Sequence, residues 1–121
     1  MNTYIYIDDV RKDYRWLYSH FNPKDWVIVL CHNYFEAVAA LQRAKRESDY
    51  TIVDLDHDLG LDEVNDELSG YDICKYIVEN NIPLFGFLIH SMNPVGSERM
   101  RNLLNDYGYE ELIWKNKKIL I

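Results

Sequence analysis

The sequence predicts an α/β sandwich with helices on both faces of a five-stranded parallel sheet, and three observations predict it. Short apolar runs recur along the chain, and the stretches between them carry apolar residues at offsets of three and four. Strands alternating with helices in this way form a parallel sheet, because right-handed crossovers lay the helices over its faces. The length of 121 residues, finally, gives one domain over 1–121 and leaves no room for a second core.

The elements follow in order. Tyr4 to Ile7 is a buried strand ending in Asp8-Asp9, and Trp26 to Leu30 is a second, rich in β-branched residues. Between them Val10 to Phe21 has helical spacing through Tyr14, Leu17, Tyr18 and Phe21, and Pro23 marks the turn. Tyr34, Ala37, Val38, Leu41 and Ala44 define the next helix, capped by Asn33 with Glu36 three residues on. Thr51 to Leu55 is the third strand, and an acidic loop runs from Asp56 to about Ser69. A helix with Cys74, Ile77 and Val78 on its inner face ends at Asn80-Asn81, and Leu84 to Ile89 is a fourth strand. Met100, Leu103, Leu104 and Tyr107 describe a helix that stops at Gly108. Leu112 to Trp114 is the fifth strand, and Lys118 to Ile121 is a terminal hairpin strand.

Composition excludes several classes. Hydrophobic residues make up 48% and charged residues 27%, which rules out the composition of a disordered chain. A net charge of -7 argues against duplex DNA as a partner, because backbone binding needs a clustered basic face. No stretch reaches the roughly 18 apolar residues of a membrane span, and no basic leader precedes the first strand, so a cytoplasmic location is expected. Cys31 and Cys74 lack metal-ligand spacing and read as buried free thiols.

In an open parallel sheet, ligands bind beyond the carboxyl ends of the strands at the topological switch point. That rule selects Asp8, Asp9, Asp56, His57, Asp58, His90 and Ser91. Carboxylates gathered there repel one another unless a cation or a proton relieves them, so a site for a divalent metal such as Mg²⁺ is one solution and a raised carboxyl pKa is the other. As alternatives, Asp8-Asp9 serves as a plain turn and Asp56-Asp58 as a solvated loop. His57 lies between two aspartates and His90 ends an apolar strand, so each is a candidate acid or base or a satisfied structural group. Asp54 and Asp56 share a side of their strand, and Asp56 is the preferred inner carboxylate. Ser91, Asn93 and Arg11 are candidate phosphate contacts, with ordinary capping before Pro94 as the competing reading. His20 and His32 lack such company and read as bland, and the stripe Tyr14, Trp16, Tyr18 reads as packing, with a base-stacking platform as the alternative.

The strand order, with Asp8-Asp9, Asp56 and Ser91, resembles the receiver domain of two-component signalling, and implies a receiver-like (flavodoxin-like) three-layer sandwich. His57-Asp58, the long acidic loop and the missing last helix, replaced by a hairpin strand, depart from an ordinary receiver. Lys115 matches the receiver lysine only loosely, since no proline follows it. Ile7-Asp8-Asp9-Val10-Arg11, Leu55-Asp56-His57-Asp58-Leu59-Gly60, Gly70-Tyr71-Asp72 and His90-Ser91-Met92-Asn93-Pro94-Val95-Gly96 are similar to the cyclic-phosphate processing receiver domains, over roughly 4 to 105. This resemblance implies a phosphoesterase acting on cyclic phosphate, such as a 2',3'-cyclic nucleotide or RNA end. His57, His90, Asp56 and Asp58 would be catalytic, Arg11, Ser91 and Asn93 would bind phosphate, and Asp8, Asp9 and Asp56 would match the acidic metal pocket. The alternative is a signalling or phosphate-binding module with Asp56 as phosphoacceptor.

Overall fold

The computed structural model describes residues 1–9, 15–59, 68–115 and 118–120. Its main sheet is built from β1 (Asn2–Ile7), β2 (Trp26–Cys31), β3 (Thr51–Leu55) and β4 (Gly86–Ile89), all parallel, in the order β2-β1-β3-β4. The helices are α1 (Tyr34–Glu47), α2 (Gly70–Glu79) and α3 (Pro94–Asp106). All five residues of β3 are buried, which is why the strand shows no polar alternation.

Side chains divide cleanly between the two faces, as strand geometry requires. Ile5, Ile7, Val53, Leu55 and Phe87 point to one face and pack under Leu41 of α1, Ile77 of α2 and Leu104 of α3. Tyr4, Tyr6, Ile28, Ile52 and Leu88 point to the other and pack with Leu17, Phe21 and Leu112. Helices on both faces were expected. Among the described residues all three α-helices lie on the first face, and the second is covered by a 3-10 helix (Arg15–Ser19) and the segment around Leu112. Leu17 and Phe21 face inward from the expected first helix, whereas Trp16 and Tyr18 are exposed. Tyr14 lies outside the described residues.

The sheet has four strands rather than the predicted five. The chain at 110–112 does come alongside β4, where Phe87 N–H donates to Glu110 and Leu112 N–H donates to Phe87. That contact is a single parallel bridge between Phe87 and Glu111. From Ile113 the backbone pairs instead with its own continuation, β5 (Ile113–Lys115) running antiparallel to β6 (Lys118–Leu120).

Local chemistry sets the helix starts. The Asn33 side chain accepts from Glu36 N–H, and the Glu36 carboxylate accepts from His32 N–H, so α1 begins with reciprocal caps. Ser69 and Asp72 cap α2 in the same way, with Ser69 N–H donating to Asp72 at 2.7 Å. Burial alone would raise the Asp72 pKa, but the Ser69 N–H, Lys75 and the Ser69 hydroxyl outweigh it and hold the carboxyl below its ordinary range. A lowered folded-state pKa gives stability that is complete above the unfolded value, about 3.9, and is lost as pH falls through the folded one. Asp72→Ala is therefore expected to cost about 1 kcal/mol near neutral pH, the usual size of a lost cap. The difference from the parent protein should close in acid. Urea titrations at neutral and acidic pH read both results.

Cys31 and Cys74 are both buried and free, as their surroundings predicted. Burial, reinforced by Glu36, pushes the Cys31 thiol up to about 12, and burial raises Cys74 as well. Neither is a nucleophile at neutral pH. Among the described residues no helix is long and apolar enough to cross a membrane.

Candidate functional site

The switch point falls between β1 and β3, because the chain leaves β1 for β2 on one side and returns to β3 on the other. Asp8 follows β1, Asp56 follows β3 and His90 follows β4. Backbone bonds tie these ends together: Asp8 N–H donates to Cys31, Asp56 N–H to Ile7 and His90 N–H to Leu55.

His90 is the hub of a buried polar cluster. Its Nδ1 lies 2.6 Å from Asp54 Oδ1 and its Nε2 lies 3.1 Å from Asp8 Oδ2. The Tyr4 hydroxyl donates to the other Asp54 oxygen at 2.5 Å, and the imidazole stacks flat on the Tyr6 ring, with centroids 4.7 Å apart. Asp54 and Asp8 are almost fully buried, and His90 keeps 17% of its side chain exposed. The ring is therefore more open to solvent than its anchoring carboxylates. Burial opposes a charge on His90. The hydrogen bond to Asp54 and the charges of Asp54, Asp56 and Asp8 outweigh that cost and raise its pKa. Burial also raises the Asp56 pKa, helped by the charges of Asp8 and Asp9, against the opposite pull of His90.

One ligand atom from each of Asp8, Asp56 and His90 lies within 4.8 Å of the others, a donor set suited to a divalent cation. In that set an imidazole stands where Asp9 was expected. Asp9 is half-buried at the margin, near enough for its charge to act on Asp56.

His57 belongs to a second cluster. Its Nδ1 lies 2.9 Å from Asp58 Oδ1, and the Asn93 amide reaches both groups at 3.4 Å. The hydrogen bond from His57 holds the Asp58 carboxyl below its usual range. Two glycines make room for this turn. A Cβ on Gly96, in the first turn of α3, would lie 2.4 Å from the His57 ring, and one on Gly70 would lie 2.0 Å from the Asp56 carbonyl oxygen. His57 therefore packs against the start of α3, while its neighbour Asp56 turns toward His90. Among the described residues the two histidines share no hydrogen bond or ring contact.

Asn93 caps α3 through its side-chain oxygen, which accepts from Gly96 N–H at 2.9 Å, and Ser91 Oγ accepts from Asn93 N–H at 3.1 Å. Both predicted phosphate contacts thus also hold their own loop together. Arg11 lies outside the described residues, as do Asp62, Glu63, Asp66 and Glu67 of the acidic loop and Lys117; the Lys115 and Lys118 side chains are likewise outside them. Asp54 is the residue the sequence reading passed over. Its signal was present, a lone carboxylate inside the apolar run Thr51-Ile52-Val53-Asp54-Leu55, on the same strand side as Asp56.

A parallel sheet in the order β2-β1-β3-β4, with carboxylates after β1 and β3 meeting at the switch point, defines a receiver-like α/β domain. The model of the cyclic-phosphate processing receiver domain matches residues 3–106, from β1 through the end of α3, and the chain belongs to that family. The family is associated with cyclic-phosphate processing. No curated protein and no solved structure matches the chain.

Proposed function

We propose that this protein hydrolyses a cyclic phosphodiester, such as a 2',3'-cyclic nucleotide or RNA end, with His90 and His57 as its two proton-transfer groups. The observation that carries the reading is the anchoring of His90: buried Asp54 grips Nδ1 and turns Nε2 toward Asp8 in the pocket at the strand ends, which makes Nε2 the nitrogen assigned to proton transfer. A histidine whose ring and tautomer are fixed by a buried carboxylate is ready to move a proton at its other nitrogen. Asp58 does the same for His57 from the solvent side.

In the proposed reaction a water oxygen attacks phosphorus and one P–O ester bond of the ring breaks, giving a phosphomonoester. His57, with its Nδ1 proton on Asp58, accepts the proton of the water at Nε2. His90 delivers its Nε2 proton to the departing oxygen, while Asp54 keeps the ring in place. Asp8 and Asp56, with Asp9 beside them, are the groups that would hold Mg²⁺, which when bound would neutralise phosphate oxygens. Without a cation, the charges of Asp54, Asp56 and Asp8 favour the protonated form of His90, against its burial.

The second reading is a signalling module with Asp56 as phosphoacceptor, favoured by the position of Asp56 beside Asp8 at the end of β3. One experiment separates the two. Phosphorus NMR of the protein with a 2',3'-cyclic nucleotide, with and without Mg²⁺, should show a monoester product that is lost in both His57→Ala and His90→Ala. A stable adduct on Asp56 from a small phosphodonor, with no turnover of any cyclic phosphate, would replace hydrolysis by signalling.

A further inference from the structure

The edge of the sheet opposite β4 is open. Among the described residues nothing pairs with the outer side of β2, whose sequence Trp26-Val27-Ile28-Val29-Leu30-Cys31 contains no charge, proline or bulge. Natural edge strands are usually guarded by such features, because unpaired peptide groups on an apolar strand invite another strand. Asn2 N–H donates to Asp25 and Asp8 N–H donates to Cys31, so in this parallel pairing the odd-numbered residues of β2 turn their peptide groups toward β1. Those of Ile28 and Leu30 point outward. Beside this edge, on the helical face, runs an open groove lined by Val27, Val29, Ala39, Ala40 and Arg43.

We infer that β2 is a dimerisation edge, at which two copies of this chain join antiparallel about a two-fold axis at Val29. In this register Ile28 of one copy exchanges both peptide hydrogen bonds with Leu30 of the other, and the same pair recurs by symmetry. Val27 then stands opposite Cys31, and Val29 stands opposite itself as a non-hydrogen-bonded pair. The two four-stranded sheets become one.

The helices argue for a second copy rather than a foreign strand. α1 packs on both β1 and β2, so its axis lies over their midline, half a strand spacing inside the edge. Across the joint the two α1 helices would therefore be two strand spacings apart, about 9.6 Å. Packed helices lie about 8–10 Å apart, with small side chains at the closest approach. Exposed Ala39 and half-buried Ala40 are the small residues that this geometry needs. Charge agrees with it. Glu36 lies at the Cys31 end of the groove and Arg43, which pairs with Glu47 of its own helix at 3.0 Å, toward the Val27 end, so the two-fold brings Arg43 of each copy toward Glu36 of the other as a second carboxylate partner. A single extended strand from another protein would pair with the edge but leave the groove under α1 unfilled.

Sedimentation of the full chain should show a monomer–dimer equilibrium. Val29→Cys should form a covalent dimer on mild oxidation, because a non-hydrogen-bonded antiparallel pair puts the Cα atoms about 4.5 Å apart, inside the roughly 4.4–6.8 Å range of a disulfide. Cys31 and Cys74, both buried, should not cross-link in the parent protein. Arg43→Glu, an exposed change remote from the core, should weaken the dimer about tenfold by placing like charges at two symmetric contacts. A monomer at every attainable concentration would overturn the inference. So would a dimer that Val29→Cys cannot cross-link, or one indifferent to Arg43→Glu.

Discussion

His90→Ala is expected to lower the rate of cyclic-phosphate hydrolysis by about 10²–10⁴, the usual contribution of a positioned acid or base. The loss should fall on kcat rather than KM, since the imidazole is assigned to the moving proton. The same substitution leaves Asp54 and Asp8 buried without their shared partner, and buried carboxylates of that kind take up protons or destabilise the fold. Activity must therefore be normalised to folded protein, measured by circular dichroism. Added imidazole separates the two consequences. If His90 works as a proton donor, imidazole should restore part of the rate; a purely structural histidine would leave the rate flat.

Asp54→Asn tests the positioning role beneath it. Asparagine keeps the shape and can still meet the Tyr4 hydroxyl, but it removes the charge that holds Nδ1–H. A loss of about 10²–10⁴-fold is expected, the upper end being what Asp→Asn costs at the carboxylate that orients a proton-transferring histidine. With that charge gone the pKa of His90 falls, so the alkaline limb of the rate profile should move to lower pH. An unchanged profile would show that Asp54 serves only packing.

Much of this was legible in the sequence because apolar runs and helical spacing depend on nearest neighbours. β3, the cap at Asn33 and the competing reading of Asn93 as a cap before Pro94 followed from a few adjacent residues. The fifth strand was not legible in this way. Leu112 to Trp114 has strand character, but which strand it pairs with depends on partners elsewhere in the chain: only a single bridge to β4 forms, at Glu111, and from Ile113 the chain pairs with Lys118–Leu120. The site shows the same division. Strand ends located Asp8, Asp56 and His90, whereas the role of Asp54 depends on Tyr4 and His90, fifty and thirty-six positions away in sequence. A carboxylate inside an all-apolar strand signals a buried partner without naming it.

The two glycines beside the Asp56-His57 turn carry the second large effect. Gly70 opens α2, and its N–H donates to the His57 carbonyl at 2.8 Å, so the helix start and the Asp56-His57 turn are bonded backbone to backbone. Alanine there would place a Cβ 2.0 Å from the Asp56 carbonyl oxygen and 2.9 Å from the Met100 sulfur. A methionine tip can swing aside; a peptide oxygen already held in the turn cannot. Gly70→Ala should therefore cost about 1–3 kcal/mol or more, as overpacking against fixed backbone does. It should also push Asp56 and His57 out of place, so that the folded fraction loses activity. Gly108→Ala is the control, since its Cβ meets nothing within 4 Å and the position, at φ 88°, carries only backbone strain far from the site. It should cost about 1 kcal/mol and leave turnover per folded molecule unchanged. Equal turnover in folded Gly70→Ala and Gly108→Ala would mean that the Asp56-His57 turn does not depend on the close approach of α2.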